Sequence, residues 1–156
     1  MKAMAYWLMK SEPDTYGIDD LAKKGGPDIW EGCRNYVVRN FIRDDMSIGD
    51  LAFFHHSNVK PPGVVGIMRI VSEAYPDPTQ FDANSHYYDP KAPADGSRWL
   101  ARDVELVEKF PRVVSMDEMR TIPGLENMLV LKKGQRLSIM PVTEAEWKIV
   151  VAAAKS

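Results

Sequence analysis

A β-branched run from Val64 to Val71 carries a glycine, Gly66, in its interior. A glycine there weakens a strand unless the strand bulges or another backbone passes close by, as at a barrel corner. This predicts a small curved sheet rather than a flat one. The preceding run agrees. Asp50 to His56 alternates Leu51, Phe53 and His55 with Ala52, Phe54 and His56. Ser57-Asn58 and Lys60-Pro61-Pro62-Gly63 then form a turn-rich connection to the next strand.

The other segments surround this pair. Ala5 to Ser11 reads as a central strand, with Trp7 and Met9 on one face and Tyr6, Leu8 and Lys10 on the other. Glu12-Pro13-Asp14 stops it, which leaves Ser11 and Glu12 at a strand end. Ile18 to Lys24 is a short helix closed by Gly25-Gly26-Pro27. Asn35 to Arg43 has helical spacing, with Val37, Val38, Phe41 and Ile42 on one side and Tyr36, Arg39, Asn40 and Arg43 on the other. Ala74 to Ser97 is polar and proline-dotted, too long for a plain loop. Arg98 to Glu108 alternates as a strand ended by Pro111. Ser115 caps a helix over Met116 to Arg120, and a helical piece falls near Glu126 to Leu131. Arg136 to Met140 makes a last short strand. Thr143 and Glu146 form a capping box that opens a helix to Ala154. Few short strands with helices around them predict an α+β fold, with residues 1–156 as a single domain.

Composition limits the partners. A net charge of −2 gives no general attraction for a polyanion, so any nucleic-acid contact must be local. The single cysteine, Cys33, excludes an internal disulfide and points to a reducing, cytoplasmic setting, or a nuclear one in a eukaryote. Tyr6 to Met9 is too short an apolar run for a signal peptide or a membrane span. Adjacent His55 and His56 point to opposite strand faces, so no metal site is expected. No cofactor motif is present, and no catalytic set is assigned. Cys33 beside Arg34 is either a reactive thiol or a small residue in a tight loop.

The informative stretch is Trp30-Glu31-Gly32-Cys33-Arg34-Asn35-Tyr36. It groups an indole, a guanidinium, a carboxamide and a phenol. A stacking face with edge-reading hydrogen bonds is what recognition of an unstacked base requires. Phe54, Tyr87, Tyr88 and Trp99 extend the aromatic set, whereas Phe53, Trp7 and Trp147 read as core.

Seven motifs in order carry a resemblance over about Ala5 to Val151: Tyr6 to Pro13, Trp30 to Tyr36, Gly49 to Asn58, Gly63 to Gly66, Tyr87 to Lys91, Arg98-Trp99 and Leu137 to Thr143. Together they resemble the EVE domain family. The resemblance implies a PUA-like pseudo-barrel of mostly antiparallel short strands with peripheral helices. It also implies a pocket for a modified base, such as methylated or hydroxymethylated cytosine, in DNA or RNA. By motif match Ser11, Trp30, Arg34, Asn35, Tyr36, Phe54, His56, Ser57 and Asn58 frame that pocket. Lys10, Arg39, Arg43, Arg98 and Trp99 serve as peripheral or phosphate contacts. Cys33 stands where the family pattern has an aliphatic residue, and His55 where tyrosine is common. The expected function is a non-catalytic reader of nucleic acid carrying a modified base. The alternatives are a small hydrolase or transferase acting on modified nucleosides in the same pocket, an RNA-binding PUA-like module, and a module that contacts protein only.

Overall fold

The computed structural model describes residues 4–156. Its spine is a 16-residue strand, β6 (Leu100–Ser115), which pairs antiparallel with β2 (Asp28–Trp30), β4 (Gly63–Ile70) and β5 (Tyr75–Pro76). β4 pairs with β3 (Leu51–His56), β3 with β1 (Tyr6–Ser11) and β1 with β7 (Ile139–Val142), giving the order β2-β6-β4-β3-β1-β7. Every pairing is antiparallel except β1 with β3. The sheet curls into the half-barrel of a PUA-like α+β fold.

Gly66 shows why it curls. A methyl group there would fall 2.4 Å from the Glu108 carbonyl oxygen and 2.4 Å from Ile18 Cδ1. The β4–β6 register shifts between Val64 and Gly66, and the β3–β4 register shifts beside it, between Phe54 and His55. Such bulges bend and twist a sheet locally. The same shift corrects the expectation that Pro111 ends a strand. No rung forms between Gly66–Lys109 and Val64–Val114, so a residue without an N–H costs the ladder nothing there, and β6 runs on to Ser115.

Strand alternation makes two cores. Trp7, Met9, Phe54, Met68 and Ile70 face α2 (Ile18–Lys24), α3 (Tyr36–Asn40) and the turn after α3 through Ile18, Leu21, Val38 and Ile42. Leu8, Phe53, Ile67, Phe110 and Met140 face α5 (Glu144–Ala154), where Trp147 stacks on Phe53 at 3.8 Å. The Thr143–Glu146 capping box is formed. A single turn, α1 (Pro13–Tyr16), follows β1, with its proline in the first turn where the missing N–H is harmless. α3 is shorter than its spacing predicts. It passes into a π-helical turn over Phe41–Asp45, and Val37 is exposed rather than buried. α4 (Met116–Arg120) begins at the Ser115 cap as expected. The segment near Glu126 to Leu131 contains only a 3-10 turn, and the last strand starts at Ile139 rather than Arg136.

Candidate functional site

A cavity of about 650 Å3 opens at the carboxyl ends of the parallel pair β1 and β3. Five separated segments wall it. Lys10, Ser11 and Glu12 end β1, and Ser57 follows β3. Trp30 ends β2 and Glu31 to Cys33 follow it, His86 and Tyr87 come from the long loop, and Arg136 to Ser138 precede β7. A smaller recess of about 140 Å3 shares Ser11, Thr15, Trp30, Glu31 and Tyr87 with it and adds Tyr16 and Asp28.

Two aromatic residues shape the space. Trp30 is 6% exposed, held edge-on by Phe54 at 5.3 Å and Tyr16 at 6.4 Å, so only its border meets the cavity. Tyr87 covers Gly32. A Cβ there would sit 2.5 Å from the phenol ring, and φ is +87°, which favours glycine. Buried Asp77 accepts from the Gly32 N–H at 2.8 Å and from Arg34 Nη1 at 3.1 Å. Arg34 in turn donates Nε and Nη2 to the Tyr87 carbonyl. These bonds tie the turn after β2 to the 77–89 loop and fix Tyr87 against the cavity.

The electrostatics are mixed. Burial, reinforced by Asp77 and Asp28, raises the Glu31 carboxyl above its usual range, with Arg34 opposing. Burial lowers Lys10. Burial also pushes the Cys33 thiol up to about 12, against the Ser138 hydrogen bond and Arg34, so it is a neutral wall group and a poor nucleophile. Among the described residues no group of three or more His, Cys, Asp or Glu is placed to hold a metal, and no helix is long and apolar enough to cross a membrane.

Of the residues expected at a pocket, Lys10, Ser11, Trp30 and Ser57 border this cavity. Ser11 Oγ donates to the Tyr16 carbonyl at 2.7 Å and keeps its acceptor capacity. Others are engaged elsewhere. Asn35 Oδ1 accepts from the Val37 and Val38 amides and caps α3. His56 Nε2 accepts from the Ile18 amide at the start of α2. Phe54 is fully buried behind Trp30. Asn58 occupies an exposed turn at φ 54°. Tyr36 stacks on Trp99 at 5.0 Å, and Arg39 lies 5.1 Å over Tyr36. Trp99 and Arg98 both donate to Asp89, and Arg43 pairs with Asp44. Arg34, Tyr88 and Trp99 line a neighbouring hollow of about 420 Å3. Arg34 spends its donors on Tyr87, Cys33, Asp77 and Thr79, so it acts as a strut rather than a free reader.

Glu31, Thr15, His86 and Arg136 border the cavity without having been singled out from sequence. Only Glu31, lying between Trp30 and Gly32, carried a signal that could have found it.

The EVE domain model matches residues 5–153. The chain is 40% identical to human thymocyte nuclear protein 1 over 166 residues, spanning 95% of this chain and 73% of that protein. A crystal structure of a protein from Pseudomonas putida superposes with a TM-score of 0.91 at 49% identity, covering 96% of this chain and 99% of that one. The human THYN1 protein in complex with 5-methylcytosine-containing DNA superposes with a TM-score of 0.88 at 40% identity, covering 97% and 98%. By sequence along almost its whole length and by architecture, this chain belongs to the EVE domain family.

Proposed function

We propose that this chain is a non-catalytic module that binds a modified nucleobase, with 5-methylcytosine in DNA as its reference ligand. The observation that carries the reading is the cavity at the β1 and β3 ends, which combines ring walls with hydroxyl and carboxylate groups. Its volume lies in the range of small-molecule sites, roughly 300–1,000 Å3. Support comes from the human relative bound to 5-methylcytosine-containing DNA. The target base leaves its stack at a cost of a few kcal/mol. Contact with the Tyr87 ring and the Trp30 border offsets that cost, at about 1–3 kcal/mol for a stacked base. Leu137, also on the cavity wall, offers apolar contact to a methyl group. Lys10 holds a backbone phosphate without reading sequence.

A catalytic role fits these side chains less well. The Cys33 thiol is buried and neutral, and His56 is occupied by the Ile18 amide rather than by Ser57. The test is fluorescence anisotropy with duplexes carrying 5-methylcytosine, 5-hydroxymethylcytosine or cytosine at one position, repeated with the RNA counterparts. The protein is expected to prefer a modified DNA duplex by at least about ten-fold, and Tyr87→Ala to remove most of that preference. Tyr87 is the better probe because Trp30→Ala would also open a hole in the core. A Tyr87→Ala protein that discriminates as the parent does would refute the assignment.

A further inference from the structure

The cavity wall carries four charges that do not satisfy one another. Glu12, Glu31 and Arg136 are exposed and Lys10 is half-buried, and all four border the same space. Among the described residues none of these side chains makes a hydrogen bond or an ion pair. Elsewhere on the surface opposite charges do meet, as in Lys109–Asp19 and Arg112–Glu118. Unpaired carboxylates and unpaired cations around one opening suit a ligand that is itself polar end to end. A nucleotide is such a ligand, with an anionic phosphate at one end and a hydrogen-bonding base edge at the other.

Glu31 is the carboxylate placed to meet the base. It borders both the main cavity and the inner recess, together with Trp30 and Tyr87, whereas Glu12 borders the main cavity alone. A carboxylate accepts hydrogen bonds and donates none. Cytosine presents an amino group at C4, whereas thymine presents a carbonyl oxygen there. Thymine and 5-methylcytosine carry the same methyl group, so contact with the methyl group cannot tell them apart.

We infer that Glu31 selects amino-bearing over keto-bearing pyrimidines in this cavity by accepting the exocyclic amine, with the phosphate turned toward Lys10 and Arg136. The inference rests on the base-binding reading above and adds to it the edge that is read. Against thymine the Glu31 oxygens face a carbonyl oxygen, a repulsive contact that rejects the deamination product of the cognate base.

The test uses three duplexes that place 5-methylcytosine, cytosine or thymine opposite the same guanine. A mispaired thymine is easier to extrude, so any preference for 5-methylcytosine is measured against that bias. The parent protein is expected to bind 5-methylcytosine roughly ten-fold or more tightly than thymine. Glu31→Gln offers both a donor and an acceptor, and is expected to bring that ratio close to one with an unchanged melting temperature. Lys10→Gln with Arg136→Gln is expected to weaken all three duplexes alike. Equal parental binding of 5-methylcytosine and thymine, each tighter than cytosine, would overturn the Glu31 inference and leave the methyl-reading cavity standing. A Glu31→Gln protein that keeps the ten-fold ratio would overturn it as well. A parent that binds no duplex, or does not distinguish 5-methylcytosine from cytosine, would sink the base-binding reading and this inference with it.

Discussion

His55 is 1% exposed, and neither of its ring nitrogens has a hydrogen-bond partner among the described residues. It pairs in register with Lys10 on β1 and Val64 on β4. Burial first, then the positive charge of Lys10 and the neighbouring His56, pushes its pKa down to about 3. In the unfolded chain an imidazole titrates near 6.5. Between those values the unfolded chain takes a proton that the folded chain refuses, so stability falls as pH drops through this window, at about 1.4 kcal/mol per pH unit. Below about pH 3 both states are protonated and the contribution levels off. His55→Leu removes the titrating group and the unsatisfied nitrogens together, and such a replacement is close to neutral or stabilising. Urea unfolding of parent and variant at pH 4, 5, 6 and 7 is the check. The curves are expected to converge near neutrality and separate in acid, with the variant more stable. Parallel curves would mean that His55 takes no part in acid sensitivity.

At the scale of elements, Arg102 on β6 decides where the α3 segment sits. It is 4% exposed and donates to the carbonyls of Ile42 and Met46, each at 2.8 Å, and of Ser72 at 3.0 Å. One guanidinium thereby closes the π-helical turn that follows α3 and fastens it to the sheet opposite Trp30. Arg102→Met would orphan three carbonyls, at an expected cost of roughly 3–5 kcal/mol. The melting temperature should then fall by about 6–20 °C. Arg102→Lys should recover only part of the loss, because an ammonium lacks the planar fork that reaches three acceptors. A thermal melt of Arg102→Met that matches the parent would remove the strut from the account.

Arg102 also shows what a sequence reading misses. β1, β3, α2 and α5 were legible because alternation, glycine punctuation and a capping box are local signals. β2 has only three residues, too few to show a period, and β6 crosses Pro111 because the irregularity in β4 opposite it cannot be seen from β6 alone. The residues that border the cavity followed the same divide. Ser11 and Ser57 were visible as strand-end residues and Trp30 as an indole beside a glycine. Asn35 and His56 looked like ligand readers, because a polar side chain that caps a helix has the same signature as one that faces a base. Arg136 and His86 come from segments that meet the β1 end only in the folded chain.

On the scale of the whole molecule, a net charge of −2 leaves no general field to draw in a polyanion. Attraction must be concentrated where the chain keeps cations free. Lys132 and Lys133 are exposed, make no ion pair among the described residues, and belong to the same loop as Arg136 on the cavity wall. With Lys10 and Arg136 they make four cations, two on the cavity wall and two in the loop that leads to it. If all four meet phosphates, log K should fall against log salt with a slope of about −3 to −4. Replacing Lys132 and Lys133 with glutamine should flatten that slope by about two and weaken methylated and unmethylated duplexes by the same factor. Phosphate contacts position a duplex but carry no information about the base, so the preference for a modified base should be untouched. Anisotropy titrations of both duplexes across 50–200 mM salt read the two quantities separately. A slope that does not move would show that the loop is a bystander. A changed preference ratio would show that it reaches the base itself, and affinity and selectivity would then share one set of side chains instead of being divided between the rim and the interior of the cavity.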